Sequence, residues 1–299
     1  MNRILYIDLE EKQPDRNGPN KWIHKFAENK SFTLGIQNQV PITNLTIHTI
    51  PLFRGTIIES KEVLWERIEK KTDMIIVGDI GDDNSNASMK LLQKVFQTIK
   101  LCIQKFKDSD NPSLHKDSDI FQFQGDYGML FQMIMYCVKE KPKIPVLGYG
   151  VGGVIIASAL ELDIERVDYE ENQINQINLI LDKRFKVFKG LQDFNINRLN
   201  NIDLQLNTIH PTNAYLISVN FNTQTDDKEH YYIIKEDWDT NQYQAIVHST
   251  QTFEPLGFKL NGKNKYAFLV QLDDHIGGVI LYNFISINHF QYHPKTIQM

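Results

Sequence analysis

The segment most able to carry chemistry is KIPVLGYGVGGVIIASALE, residues 143–161. A short apolar run ends in a cluster of glycines and passes directly into a small-residue amphipathic stretch, which predicts a buried strand, a tight turn and a helix. In many α/β hydrolytic enzymes the residue at the tip of such a turn is the nucleophile. The tip here reads GYGVG over residues 148–152, and its central residue, Gly150, has no side chain that could attack a substrate.

The same glycines could also indicate a phosphate-binding loop, because helix N-termini attract anions. The turn lacks the Lys-Ser/Thr pair of a P-loop, and G-x-G-x-G-G in the middle of the chain is an imperfect dinucleotide fingerprint. A turn that brings backbone and helix into close contact needs residues without a Cβ, which explains the glycines more simply. The pattern therefore favours a tight turn over nucleotide binding, and no cofactor is predicted.

The remaining candidates for chemistry are two cysteines and two acidic pairs. Cys102 and Cys137 lie in apolar, helix-like segments, where a free cysteine is usually a small buried hydrophobe. No histidine is adjacent to Cys137, so it is not predicted to be a displaced nucleophile, and two isolated cysteines indicate no zinc site. The acidic pairs at 82–83 and 226–227 lack the further converging ligands that a metal ion needs, so no metal site is predicted.

The elements that must position the glycine turn alternate between strand and helix patterns in the first half of the chain. Strand patterns occur at 4–7, 45–53, 74–77 and 144–147, and helical patterns at 59–71, 87–106 and 127–138. The second half has strand patterns at 214–221, 230–237 and 243–250 and a helical pattern at 268–290. This order predicts an α/β fold, with a mostly parallel central sheet, helices on both faces and antiparallel strands at the edge.

Composition limits the class of protein. Hydrophobic residues make up 41 % of the 299 residues, which is ample for one sizeable core, and the length allows one domain or one large and one small domain. A polar insertion at 107–119 is predicted to be an exposed loop. The net charge is −5 and no dense basic segment stands out, which argues against nucleic acid as a partner.

The N-terminus and the most apolar segment indicate where the protein resides. Residues 144–160 carry no charge but contain a proline and four glycines and are too short for a bilayer, so no membrane span is predicted. The chain begins with a strand pattern and has no signal-peptide apolar region. We therefore expect an intracellular protein, in the cytoplasm or in an organelle such as the mitochondrion.

The turn and its neighbours together resemble the γ-glutamyl hydrolases, a branch of the class I glutamine amidotransferase superfamily that trims poly-γ-glutamate tails. PVLGYGVGG (145–153) is similar to the superfamily's G-x-C-x-G nucleophile turn, and TDMIIVGDIGDD (72–83) to the strand and loop that help to build its oxyanion hole. His210, in LQLNTIHPTNAYLISVNF (204–221), matches the family's substrate-side histidine. Further similar segments lie at 185–201, 244–264 and 283–290. The resemblance implies a flavodoxin-like class I amidotransferase fold, in a single domain over 1–299 with a divergent N-terminal segment at 10–44 and the polar insertion at 107–119.

The same resemblance implies that the catalytic residues are missing. A cysteine nucleophile needs a histidine to activate it and a carboxylate to orient that histidine. The nucleophile position is Gly150, and GFKLNGK (257–263) stands where the family has G-V-Q-W-H-P-E, so the histidine and glutamate positions fall on Asn261 and Lys263. A rival match, FQYHP at 290–294, restores a histidine but not a nucleophile.

The loop that resembles the oxyanion hole is altered as well. Asp79 and Ile80 stand where the family has small glycines. A carboxylate at this place would oppose the negative charge that an oxyanion develops.

These substitutions predict a catalytically inactive pseudoenzyme that acts as a structural or accessory subunit of a larger protein assembly. Its partners would be other protein subunits, contacted through the segments at 10–40 and 107–119, since long connections commonly carry binding function. One alternative is a binding module in which His210 and Lys263 meet the carboxylates of a γ-glutamyl or folate-like ligand. A second alternative is a hydrolase that uses residues unrelated to the family.

Overall fold

The computed structural model describes residues 2–9, 31–34, 38–41, 45–51, 61–79, 86–110, 112–114, 125–141, 143–168, 176–191, 214–220, 230–235, 239–250, 254–270, 272 and 274–292. Its strands are β1 (Asn2–Asp8), β2 (Ser31–Leu34), β3 (Asn38–Pro41), β4 (Leu45–Pro51), β5 (Met74–Val77), β6 (Val146–Tyr149), β7 (Ile164–Asp168), β8 (Gln176–Asp182), β9 (Ala214–Asn220), β10 (His230–Ile234), β11 (Tyr243–Ser249), β12 (Pro255–Leu260) and β13 (Lys265–Phe268). Its helices are α1 (Lys61–Glu66), which continues as a π-helical turn (Arg67–Lys71), α2 (Asn86–Lys107), α3 (Gly125–Lys139), α4 (Val151–Ala159) and α5 (Asp274–Tyr292), with a 3-10 turn at Lys186–Phe188.

Nine strands form one sheet in the order β4-β1-β5-β6-β13-β12-β11-β8-β9. The first five run parallel to one another, and the last four continue the sheet in antiparallel fashion. The predicted α/β sheet with antiparallel strands is thus confirmed, although those strands form a whole side of the sheet rather than its edge alone. The β7–β10 and β2–β3 pairs are separate from this sheet.

Helices cover both faces of the sheet, as predicted. Neighbouring residues of a strand point to opposite faces, and in β1 Leu5 and Ile7 join the apolar layer that holds α2, α3 and α4. Ile4 and Tyr6 face the layer that holds α5. The sheet is therefore buried on both sides over its central strands.

Two predicted segments differ from the structure. The last helix begins at Asp274 rather than at 268, because Phe268 is the final residue of β13. The insertion at 107–119 is not wholly an exposed loop, because Lys107 ends α2 and Leu114 is buried, with its carbonyl accepting a hydrogen bond from Gln132 Nε2 at 3.3 Å.

The prediction of a single domain over 1–299 is not tested by these elements and stays a prediction. Of the divergent segment at 10–44, the described residues form the β2–β3 pair. Among the described helices, none is both long and apolar enough to cross a membrane.

Candidate functional site

The glycine turn has the strand–turn–helix geometry that its sequence predicts. β6 ends at Tyr149, Gly150 follows with φ 56° and ψ −128°, and α4 begins at Val151. L-amino acids with a side chain rarely adopt this backbone conformation, so the tip of the turn is strained for any residue but glycine. The geometry of a nucleophile turn is present, without a nucleophile.

The other glycines of the turn allow α4 to sit directly on the ends of two strands. A Cβ added at Gly152 would lie 2.2 Å from the Val77 carbonyl oxygen of β5, and one added at Gly153 would lie 2.1 Å from the Phe268 carbonyl oxygen of β13. Backbone contact of this kind leaves no room for side chains. The packing explains these glycines without a phosphate ligand.

Asp79 fills the space above Gly150. Asp79 follows β5 after Gly78. Because β5 and β6 are parallel neighbours, Asp79 lies beside the end of β6, at the C-terminal ends of both strands. The side chain of Asp79 is buried. A Cβ added at Gly150 would lie 2.1 Å from Asp79 Cγ and Oδ2 and 2.3 Å from its Oδ1. The carboxylate therefore occupies the volume that the side chain of a nucleophile would need.

Asp79 also engages the backbone donor that an enzyme would use. In enzymes with this turn, the N–H of the residue after the nucleophile forms part of the oxyanion hole. Here that residue is Val151, and its N–H donates to Asp79 Oδ1 at 2.8 Å. The negative charge lies at the N-terminus of α4, where the helix dipole favours it. Since Gly150 caps α4 with no side chain, Asp79 supplies the cap from the neighbouring strand.

Asn261 and Lys263 do not lie at this site. β13 runs parallel to β6 and pairs Lys265 with Val146 at the start and Phe268 with Tyr149 at the end. The loop of the β12–β13 hairpin carries Asn261 and Lys263 and precedes β13. It therefore lies at the N-terminal ends of β6 and β13, whereas Gly150 lies at their C-terminal ends, roughly 10 Å away along the strand.

The side chain of Asn261 has a structural role in that hairpin. Its Nδ2 donates to the carbonyls of Thr240 and Asn241 at 3.1 and 2.9 Å. The assignment of the family's histidine and glutamate positions to Asn261 and Lys263 is therefore not supported by the topology. The sequence similarity placed the motif at the end of β12, whereas the strand that ends beside the glycine turn is β13.

The segment that contacts the glycine turn is the one that directly follows β13. Gly150 N–H donates to the Val270 carbonyl at 3.1 Å. The sequence along this segment reads LVQLDDH over residues 269–275.

Several sequence-predicted positions fall outside the described residues. They are Ile80, His210, the acidic pairs at 82–83 and 226–227, and His293 of the rival motif. The rival motif itself is not supported, because its first three residues belong to α5 and do not leave a strand. In the part of the chain that is described, no three His, Cys, Asp or Glu side chains converge as metal ligands would.

The two cysteines are buried in the apolar layer around α3, which confirms the prediction that they are small core residues. Burial raises the pKa of both thiols to about 12. The thiolate is the nucleophilic form of cysteine, so neither side chain is activated at neutral pH.

Two buried polar residues were not found by sequence reasoning. Lys265 is fully buried at the start of β13, and its Nζ donates to the carbonyls of Cys137, Val138 and Lys141 at the end of α3. His248 is buried in β11, and its Nδ1 has no hydrogen-bond partner among the described residues. Both lie inside ordinary strand patterns, where only the tertiary structure distinguishes a buried polar side chain from an exposed one.

Comparison with known proteins finds similarity in structure only. No family model and no curated protein sequence matches the chain. A protein described as part of a GMP synthase, from Thermoplasma acidophilum, has a TM-score of 0.48 and 13 % identity, covering 99 % of this chain and 98 % of its own. A glutamine amidotransferase from Thermotoga maritima has a TM-score of 0.43 and 12 % identity, covering 99 % and 86 %. PurLQS from the same organism has a TM-score of 0.44 and 9 % identity, covering 96 % and 98 %.

The TM-scores of these three structures are all below 0.5, so the likeness does not by itself establish that this chain shares their family.

Proposed function

We propose that this chain is a catalytically inactive, γ-glutamyl hydrolase-like relative of the class I glutamine amidotransferases that serves as an accessory subunit of a larger protein assembly. The observation that carries the proposal is the position of Asp79. Its carboxylate lies where the nucleophile's side chain would be and accepts the hydrogen bond of Val151 N–H.

Three separate obstacles stand against acyl-transfer chemistry at this turn. Gly150 offers no nucleophilic atom. The donor after it is already bonded to Asp79, so it is not available to a tetrahedral intermediate. A negative charge also stands where negative charge would have to develop, which disfavours the transition state. Replacing Gly150 alone would remove only the first obstacle.

A role in an assembly is consistent with a well-packed core that surrounds an inactive turn. The central strands β1, β5, β6 and β13 are buried on both faces, and α4 packs tightly against them. A well-packed fold without catalytic residues can still serve a larger assembly, because its surface can bind other subunits. The alternative of a γ-glutamyl or folate-like ligand at the turn is weakened. Lys263, which would bind a ligand carboxylate, lies at the opposite ends of the strands from Gly150.

The native mass of the endogenous protein tests the assembly role. Gently lysed cells are separated on a native gel or a sizing column, and the chain is detected in each fraction. We expect it to migrate with a complex much larger than its own 34.8 kDa. Migration as a monomer or a dimer of 34.8 kDa chains would contradict the accessory-subunit role.

A further inference from the structure

The nine-stranded sheet ends on its antiparallel side at β9. This strand pairs with β8 over its whole length, from Ala214 opposite Asp182 to Asn220 opposite Gln176. Among the described strands only β8 pairs with β9, so no described strand lies along its outer edge. Alternate residues of a strand direct their backbone N–H and C=O groups to the same side. About half of the backbone groups of β9 are therefore directed to the outer edge, where an added strand would bind them.

The sequence of β9 lacks the features that prevent pairing at a sheet edge. Edge strands are usually protected by charged side chains, by proline or by a bulge. The seven residues AYLISVN, 214–220, include no charged residue, no proline and no glycine. The pairing of β9 with β8 runs without a shift in register, so no bulge interrupts it. The outer edge of β9 is thus a continuous template for another strand.

The strand at the other edge of the sheet, β4, is less suited to pair with its own copy. Its sequence, LTIHTIP, has His48 at the centre and ends at Pro51, which has no N–H to donate. When two identical strands pair in antiparallel fashion over their full length, the central residue lies opposite its own copy. Two histidines would therefore face each other at β4, whereas the central residue of β9 is Ile217.

Two copies of β9 match each other in an antiparallel pairing. Full overlap places Ile217 opposite Ile217 of the second copy, Tyr215 opposite Val219, and Leu216 opposite Ser218. No pair brings like charges together, because the strand carries no charge. A pairing of this length forms roughly six to eight backbone hydrogen bonds.

We propose that β9 is the dimer interface of this protein, at which a second copy of the chain adds its own β9 in antiparallel orientation. The strands from β13 to β9 already alternate in direction, so the pairing continues this order across a two-fold axis and joins two sheets into one. A second copy is the occupant because a two-fold contact needs only one surface, which must be self-complementary. The proposal goes beyond the accessory role and does not depend on it.

A disulfide at the centre of β9 tests the pairing and its register. In the dimer, position 217 lies opposite itself, with Cα atoms about 4.5–5.5 Å apart, a separation that a disulfide can span. We expect purified Ile217→Cys to form an intermolecular disulfide on mild oxidation with copper phenanthroline, detected as a dimer on a non-reducing gel. Val219→Cys is the matched control, because position 219 lies about 14 Å along the strands from its own copy. The native Cys102 and Cys137 are buried and should not react.

The mass of the purified chain in solution tests the dimer without a substitution. Light scattering on a sizing column should give twice the 34.8 kDa of one chain at micromolar concentration. A mass of 34.8 kDa at all concentrations would overturn the proposal, whatever the variants do.

Charges at the ends of β9 should strengthen or weaken the dimer according to their sign. In the proposed register Ala214 lies opposite Asn220 of the second copy. Ala214→Lys/Asn220→Lys therefore places like charges opposite each other at both ends, whereas Ala214→Lys/Asn220→Glu places opposite charges there. We expect the dimer of the first variant to have an about tenfold higher dissociation constant than that of the second. Equal far-UV circular dichroism of the two variants would show that the difference does not come from unfolding.

The outcomes separate this proposal from the accessory role. A monomeric purified chain found in a large native complex would overturn the dimer and leave the accessory role standing. A purified dimer whose endogenous form also migrates as a dimer would support the β9 contact and contradict the accessory role. Equal disulfide yields from Ile217→Cys and Val219→Cys would overturn the proposed register. A monomeric chain whose β9 amides are protected from hydrogen exchange only in the native complex would assign this edge to a strand of another subunit.

Discussion

At the scale of single residues, one carboxylate determines what the turn can hold. Asp79 follows β5, Gly150 follows β6, and the parallel pairing of the two strands brings them together. The aspartate caps α4 through Val151 N–H and excludes any side chain from the tip of the turn. The same contact therefore stabilises the helix N-terminus and leaves no room for a nucleophile.

Substitution of Gly150 should be costly because of Asp79. Gly150→Ala places a Cβ 2.1 Å from the Asp79 carboxylate in addition to the strained backbone, and we expect the free energy of unfolding to fall by about 2–4 kcal/mol. Gly262→Ala is the matched control, since Gly262 also has a positive φ, of 68°, but no neighbour within 4 Å of an added Cβ. The control should cost only about 1 kcal/mol.

The double variant Asp79→Gly/Gly150→Ala completes the cycle. We expect it to be at least about 1 kcal/mol more stable than the sum of the two single changes in urea unfolding, because the clash is absent once the carboxylate is removed. Additive single changes would show that Asp79 does not occupy the space above Gly150.

His248 should make the fold sensitive to acid. Burial lowers the pKa of His248 to about 4, although the nearby Asp182 opposes the shift. In the unfolded chain the histidine binds a proton below about pH 6.5, so between about pH 6.5 and pH 4 only the unfolded state is protonated there. The free energy of unfolding should therefore fall as the pH falls through this range, by up to about 3 kcal/mol.

Urea unfolding at a series of pH values measures this dependence. His248→Gln should flatten the curve relative to wild type, because it removes the buried group whose pKa differs between the folded and unfolded states. Identical curves for the wild type and His248→Gln would contradict the assignment.

At the scale of elements, Lys265 ties the start of β13 to the end of α3. Its ammonium group donates to the carbonyls of Cys137 and Val138 in the last turn of that helix, where backbone acceptors have no partner within the helix and positive charge is favoured. It also donates to the carbonyl of Lys141, just after the helix. The parallel half of the sheet and the helix layer are joined at this point.

Removal of the Lys265 ammonium group should destabilise the protein. Lys265→Met removes this donor from the carbonyls of Cys137 and Val138, whereas the Lys141 carbonyl keeps the hydrogen bond from Ile144 N–H. We expect a loss of about 2–4 kcal/mol in the free energy of unfolding, with faster amide exchange in the last turn of α3. Lys259→Met is the matched control, because Lys259 is only half-buried and its Nζ bonds one carbonyl, that of Leu260. An equal effect of the two changes would show that the three-carbonyl contact contributes no special stability.

The elements themselves were largely predictable, because hydrophobic periodicity is a local property. β5 was predicted with its bounds, and α2 and α3 within two residues at each end. The position of Asn261 was not predictable in this way, because strand direction and register depend on pairings between distant segments. The contact of Asp79 with Gly150 depends on the same long-range pairing, although its glycine-rich turn was evident from the sequence.

At the scale of the whole molecule, the glycine turn lies among central strands that are buried on both faces. The accessory role proposed above requires a surface that binds other subunits, and it requires no catalytic site.

Hydrolysis by the purified wild-type chain tests the central claim most directly. The measurement is release of glutamate from glutamine and from γ-linked glutamate peptides, with buffer alone as the comparison. We predict that the wild type releases no more glutamate than buffer, since Asp79 already fills the space above Gly150. Turnover that rises in proportion to the concentration of the purified chain would show that it is an active hydrolase and would contradict its proposed inactivity.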